Sequence, residues 1–526
     1  MQGMGAEADT VSGRRGFPSV PLAVVLGAML MGAAYAFALG EDANWDLRNY
    51  HTYNVWATLT HRYALDAAPA GFQTYFNPLP YFPVYYLNEW LSPLTSGLIM
   101  GAVHGLNLAA IYGLTRLLLG AGATPACLIA SIVLAAFGPM TLSEVGTSFA
   151  DITLSLPIMA ALALVLVSDA PKPKHYLLAG LLMGVAVGLK LTNVVFALGL
   201  TVAVIASARP ALAMYCVIAG GAVGGIVGGG GWSLMLWREF GNPVFPLFSG
   251  FFPSPELPST NILDRQFIPH GMVDGLAYPF YWLIGDNRSS EYAFRDGRFA
   301  LAVVLLVAAI GAGLIRRAVP FTRRDIQFLI FFAVSFAAWM TLFSIQRYIV
   351  VLELLCGPLI VLLLVRVLAG AAAEPTPGRR GTAIILIVSA LAAAWTQPGD
   401  WLRRAWADPY KPVLSTQLAQ PAIYLLLDKP LGYIAPLLPA GSRFYQLADI
   451  ALPVVPGGKL DRRIRAGLTE PLPGGIRELH LRGSMIRPEL LDTYGLTIDA
   501  SQPCQTIGGL DPGAVIEACP VIRRER

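Results

Sequence analysis

The chain has 526 residues, of which 55% are hydrophobic and only 13% charged, with a net charge of +4. Soluble domains carry about 25% charged residues, so a water-soluble enzyme is excluded, and a small positive balance scattered between apolar runs is no platform for nucleic acid. The five cysteines include three in apolar runs (Cys127, Cys216, Cys356), which excludes a disulfide scaffold and leaves a membrane protein as the class.

A helix crossing the hydrocarbon layer needs roughly 20 apolar residues. In chain order, apolar runs predict helices over residues 20–39, 95–119, 125–142, 152–167, 176–189, 192–206, 212–236, 299–315, 326–345, 350–368 and 382–395. This is an all-α polytopic membrane bundle of about eleven spans. Residues 1–19, with Arg14 and Arg15, are expected in the cytoplasm, and alternate connections then carry Arg116, Lys172, Lys174, Arg209, the cluster Arg316, Arg317, Arg323 and Arg324, and Arg366, Arg379 and Arg380. On this parity residues 40–93 and 237–298 are outer loops of a transmembrane domain covering 20–396. A competing reading of the start makes Arg14, Arg15, the first apolar run and Ala34-Tyr35-Ala36 a cleaved signal peptide.

From about Gln397 apolar runs shorten and Pro and Gly recur. Residues 397–526 are expected to form a small soluble α/β domain, with strands near Arg443 to Leu447 and Glu478 to Leu481 and a helix near Pro488 to Tyr494. It lies on the outer side, the periplasm of a bacterial inner membrane. Cys504 and Cys519 would meet oxidising conditions there, where a disulfide or two free thiols are the alternatives.

Ionisable groups are costly in lipid, so their positions are informative. They gather at the outer ends of the runs. Glu41, Asp42, Asp46, Arg48 and His51 crowd the start of the first loop, which continues to Asn77-Pro78. Glu144 and Asp151 bracket a short outer connection, Lys190 ends the fifth run and Arg347 the ninth. Each has a plainer reading: Asp151 as a helix N-cap, Lys190 and Arg347 as side chains snorkelling to the interface. The aromatic residues Trp45, Tyr50 and Tyr53 read as interfacial anchors. Gly180, Gly184 and Gly188 form a stripe for close helix packing. No Cys/His spacing suits structural zinc.

The order of these features resembles the GT-C superfamily of integral-membrane glycosyltransferases, most closely its protein-mannosyltransferase and lipopolysaccharide-modifying branches. The resemblance lies in the outer loop opening with Glu41, Asp42 and Asp46, the stretch Asn77-Pro78-Leu79-Pro80-Tyr81, and Phe149-Ala150-Asp151. The Gly-rich run Ala179 to Lys190 and Arg347-Tyr348 complete it. It is clearest from Trp45 to about Ser207, and the tail matches no module of that kind.

The resemblance implies transfer of a sugar from a polyprenyl-phosphate donor to a hydroxyl of a glycan, lipid or protein acceptor on the outer face. Asp46, with Asp42 second, would take the hydroxyl proton, with His51 and Arg48 orienting or tuning it. Lys190, Arg48 and Arg347 would meet the lipid phosphate, and Glu41, Asn77, Glu144 and Asp151 would contact sugar or acceptor. A divalent cation (Mg or Mn) on Asp46 and Asp151 is an option rather than a requirement. The alternatives are a transporter or flippase for a lipid-linked or anionic substrate and a non-catalytic envelope assembly subunit. No clear internal repeat supports the transporter.

Overall fold

In the computed structural model, the structure describes residues 19–167, 172–257, 264–317, 321–369, 376–407, 412–485, 487–511 and 514–524. Arg14 and Arg15, on which the cytoplasmic start rests, lie outside them. Every one of the predicted apolar runs contains helix. Among the described residues six helices are long and apolar enough to cross a membrane: Leu22–Leu39, Pro93–Gly122, Pro210–Phe240, Arg298–Arg316, Arg323–Leu342 and Gln346–Leu368. Four more apolar helices, Pro125–Ala136, Ala150–Leu166, Pro173–Leu189 and Leu191–Ala206, are shorter, so length and composition by themselves establish six of the eleven expected crossings.

The clearest departure is the run over 125–142. Its helix stops at Ala136, Gly138 is extended, and a separate short helix, Pro139–Glu144, follows. Proline disfavours helical geometry in the residue before it and has no N–H to donate, so Gly138-Pro139 ends one helix and starts another. This break turns Glu144 inward, where it is fully buried.

The bundle is built around Gln346–Leu368, almost wholly buried along its length. At its start Glu353 accepts hydrogen bonds from the Met140 and Thr141 amides (3.0 and 3.3 Å) and from Gln346 (2.8 Å), and lies 3.7 Å from the Arg298 guanidinium. Helices Pro173–Leu189 and Pro210–Gly225 pack backbone to backbone. A Cβ on Gly184 would sit 2.1 Å from the Gly221 carbonyl, so the small-residue stripe is a helix-helix seam. His104 and Asn107 bond the neighbouring helix through Thr153 and the Ile152 carbonyl (both 2.9 Å).

The tail is a mixed sheet. Strands β1 (Ile423–Leu426), β2 (Arg443–Gln446), β3 (Ile476–Leu481), β4 (Leu496–Ile498), β5 (Gln505–Asp511) and β6 (Ala514–Arg523) run in the order β2-β1-β3-β6-β4, with β5 also paired to β6. β1 is parallel to β2 and β3, whereas β6 is antiparallel to its partners. Cys504 and Cys519 form a disulfide.

This domain is not a free appendage. Asp66, 2% exposed, accepts from Arg62 (2.6 and 2.9 Å), Tyr53 (2.9 Å) and the Phe444 amide of β2 (3.0 Å). Ala67 bridges to Tyr445, and Asp449 accepts from the Phe72 amide (2.6 Å). Apolar residues of the first loop and of the sheet share one core, Tyr53 and Ala57 packing with Tyr424, Leu426 and Phe444.

Candidate functional site

The first loop is bent into place by a glycine. Helix Leu22–Leu39 ends at Gly40 with φ +92°, where a Cβ would lie 2.3 Å from the Arg404 carbonyl. Glu41–Asp42 then pairs with Arg403–Arg404. The Asn44 side chain accepts from the Leu47 amide (2.8 Å) and starts a π-helical turn, Leu47–His51. Such turns are a wide winding that re-aims side chains. Asp46, at its start, points to one side of the loop and Arg48 to the other, and each side carries a cavity.

The larger cavity, about 920 Å³, counts Asp46, Tyr50, Asn77, Tyr81, Lys190, Arg347, Tyr348 and Trp401 among its polar and aromatic lining. Its remaining wall is apolar and includes Leu189, Ile226, Leu236, Leu342 and Phe343. Asp46 accepts from Arg347 Nη1 at 2.5 Å and from the Tyr50 hydroxyl at 3.3 Å. Lys190 Nζ lies 2.5 Å from Asp151 and 5.1 Å from the Tyr348 ring centre. The Arg347 guanidinium is ringed by Phe149, Tyr348 and Trp401 at 5.3–5.6 Å, and its Nε is buried with no hydrogen-bond partner among the described residues. Both cations keep 14% of the side chain exposed, toward the cavity they line.

Burial pushes the Asp46 carboxyl up, but the charges of Arg347 and Lys190 outweigh it and hold the group below the ordinary carboxylate range. Burial takes the His51 imidazole down to about 3, so it is neutral; it shares a 2.8 Å hydrogen bond with Ser148 and stacks on Tyr81 at 3.9 Å. The Glu144 carboxyl is raised by burial and then by the nearby Asp151 charge.

The candidate residues therefore divide. Asp46, Asn77, Lys190 and Arg347 reach the larger cavity, and Asp151 acts behind it by holding Lys190. Asn77 also donates to the Gly188 and Gly228 carbonyls (both 2.9 Å), pinning two helices that flank the cavity. Asp42 accepts from the Ser148 amide (2.7 Å) and from Asn44 (2.7 Å), and lines the second cavity of about 510 Å³ with Arg48 and Glu41. Glu41 is ion-paired to Arg404. Glu144 is absent from both cavity walls; one oxygen accepts from the Ile152 amide (3.1 Å) and the other has no partner among the described residues.

Sequence reasoning missed Tyr81, Trp401, Asp264 and Glu291, all on the larger cavity. The proline-aromatic stretch 77–81 was a signal for Tyr81. Trp401 follows the last apolar run and carried none.

A divalent cation fits the larger cavity poorly, because Asp46 and Asp151 are each already bound to a basic side chain. Among the described residues the cluster close enough to share an ion is Glu478, His480 and Cys519 in the tail, whose sulfur is tied up in the disulfide.

No protein-family model matches the chain, and no curated protein sequence matches it. Solved structures do. The crystal structure of ArnT from Cupriavidus metallidurans bound to undecaprenyl phosphate aligns at 18% identity and TM-score 0.48, over 71% of this chain and 63% of that one. The Archaeoglobus fulgidus oligosaccharyltransferase tethered with an acceptor peptide aligns at 12% and 0.42, over 82% and 64%. The arabinosyltransferase EmbB from Mycobacterium smegmatis aligns at 14% and 0.35, over 74% and 39%. The chain thus spans less than two thirds of the length of each.

Proposed function

We propose that the chain is a membrane glycosyltransferase that moves a sugar from a polyprenyl-phosphate donor to an acceptor hydroxyl on the outer face of a bacterial inner membrane. The observation that carries this reading is the larger cavity, an apolar-walled chamber beside the spans where the Asp46 carboxylate is paired with Arg347 and the Lys190 ammonium joins the lining. A lipid phosphate with a long hydrocarbon tail has the same division of character.

In this reading the acceptor oxygen attacks the anomeric carbon as the bond from that carbon to the phosphate oxygen breaks. The hydroxyl proton passes to Asp46, and the leaving lipid phosphate gains one negative charge, which Lys190 and Arg347 are placed to neutralise. Asp151 and the ring of Phe149, Tyr348 and Trp401 position those cations. The Asp46–Arg347 pair also supplies a coupling. A bound phosphate draws Arg347 away from Asp46, and the carboxyl, no longer held down by that charge, becomes a stronger base when donor is present. Asp42, tied to the Ser148 amide, shapes the loop instead. No step requires a metal ion, since the two cations can balance the phosphate.

The test is complementation of a strain lacking the gene. Mass spectrometry of envelope glycans and polyprenyl-phosphate sugars should show the donor accumulating and one glycan losing a sugar. Unchanged profiles, with transport of a lipid-linked substrate in proteoliposomes, would favour the transporter.

A further inference from the structure

The outer loop 237–298 contains a helix that neither the bundle nor the proposed chemistry uses. Helix Met272–Leu283 buries Gly275, Tyr278, Pro279 and Trp282. Trp282 packs edge-on against Phe299 (5.0 Å), Phe336 (6.0 Å) and Trp339 (5.8 Å), so the helix lies across the start of Arg298–Arg316 and the end of Arg323–Leu342. Its other side is bare: Met272, Val273, Leu276 and Phe280, with Ile284 just beyond, are 83%, 83%, 68%, 41% and 75% exposed. At about 100° per residue these five fall within an arc of roughly 120°, clear of the buried arc. Between the two arcs runs a polar edge, where Arg288 binds Asp274 and Asp286 (both 2.7 Å) and stacks on Tyr281.

A helix with three such faces sits at a boundary. One face is packed, one is polar, and the third needs an apolar partner. The span it packs on has a bare apolar flank of its own, where Val304 and Val307 are 55% and 66% exposed. That flank faces lipid, and the ends of both spans place this helix at the same membrane surface. We propose that Met272–Leu283 is an interfacial helix whose partner is the outer leaflet, its apolar face sunk among the acyl chains beside the larger cavity. Met340, which touches Gly275, lies one turn or less from Leu342 and Phe343 of the cavity wall. The inference rests on the membrane reading, not on the glycosyl-transfer reading.

The test uses the full chain in phosphatidylcholine–phosphatidylglycerol vesicles. Cys127, Cys216 and Cys356 are buried and Cys504 and Cys519 are bridged, so a spin label can be directed to one introduced cysteine. Leu276→Cys and Ile284→Cys probe the bare face, Asn287→Cys the polar side and Val307→Cys the span. The expected result is that labels at 276 and 284 collide several-fold more with oxygen, relative to a water-soluble nickel chelate, than the label at 287, at a depth shallower than 307. Nickel access at 276 with oxygen preference at 307 overturns the inference and spares the membrane reading. Nickel access at 307 as well overturns both. A label at 276 reached by neither reagent means a protein partner covers the face, which also overturns the proposal.

Discussion

Asp66→Ala tests whether the C-terminal domain holds the loop that carries Asp46. The substitution strips the carboxylate from Arg62, Tyr53 and the Phe444 amide at one stroke, and Arg62 and Tyr53 are themselves 7% and 0% exposed. Breaking a buried ion pair by removing one partner costs about 3–5 kcal/mol, because the other charge stays buried. For a cooperative unit of 150–250 residues, each kcal/mol lowers the melting temperature by about 2–4 °C, so a fall of about 10 °C is expected. Tryptophan fluorescence during heating in detergent, at a fixed scan rate, reads it. The double variant Arg62→Met/Asp66→Leu should recover most of the loss, since an apolar pair of similar volume is often neutral. A fall of less than about 2 °C in Asp66→Ala, or a double variant as unstable as the single, would refute the claim that this joint fastens the loop.

Arg347→Gln should lower turnover by about 10²- to 10³-fold, the usual cost of one lost charge-stabilising donor, and should move the acid limb of kcat/KM to higher pH. The sign follows from Asp46. Its pKa is held below the ordinary value, so the pair's stabilising effect is present above the ordinary carboxylate range and is lost as pH falls through the folded value; without Arg347, burial is less opposed and protonation begins earlier. An acid limb that stays put would mean that Asp46 is not the titrating group. Cys504→Ser with Cys519→Ser should destabilise the tail by about 3 kcal/mol, from a 15-residue loop no longer closed; unchanged urea unfolding of the tail would contradict this. Reporter fusions at Lys172 and Arg323 should read cytoplasmic and fusions after Trp395 periplasmic, whereas a tail shielded from protease in spheroplasts would contradict the span count.

Much of the bundle was legible because apolar length is a local property of the chain, and helix ends fall at local Pro and Gly signals such as Pro93, Pro125 and Pro173. Lys190 and Arg347 were legible for a related reason, since a charge closing an apolar run is conspicuous whatever it pairs with. The partners were not. Glu41 and Asp42 look equivalent to Asp46 along the chain, yet Glu41 meets Arg404 and Asp42 meets the Ser148 amide, residues far away in sequence. Glu353 likewise sits within one turn or two of Arg347 but lies against Arg298. The tail reads as a separate unit by composition, and only the Asp66 and Asp449 contacts reveal that it is fused to the first loop.

Whether Asp46 takes the acceptor proton is measured most directly by sugar transfer in Asp46→Asn set beside Asp42→Asn, each expressed in a strain lacking the gene. Asp46→Asn preserves size and removes the base, so transfer should fall by about 10²- to 10⁴-fold while the melting temperature stays near that of the unaltered protein and polyprenyl-phosphate sugar accumulates. Asp42→Asn should retain substantial transfer and lose thermal stability instead. Full transfer by Asp46→Asn with loss in Asp42→Asn would move the role to Asp42, and full transfer by both would contradict the mechanism.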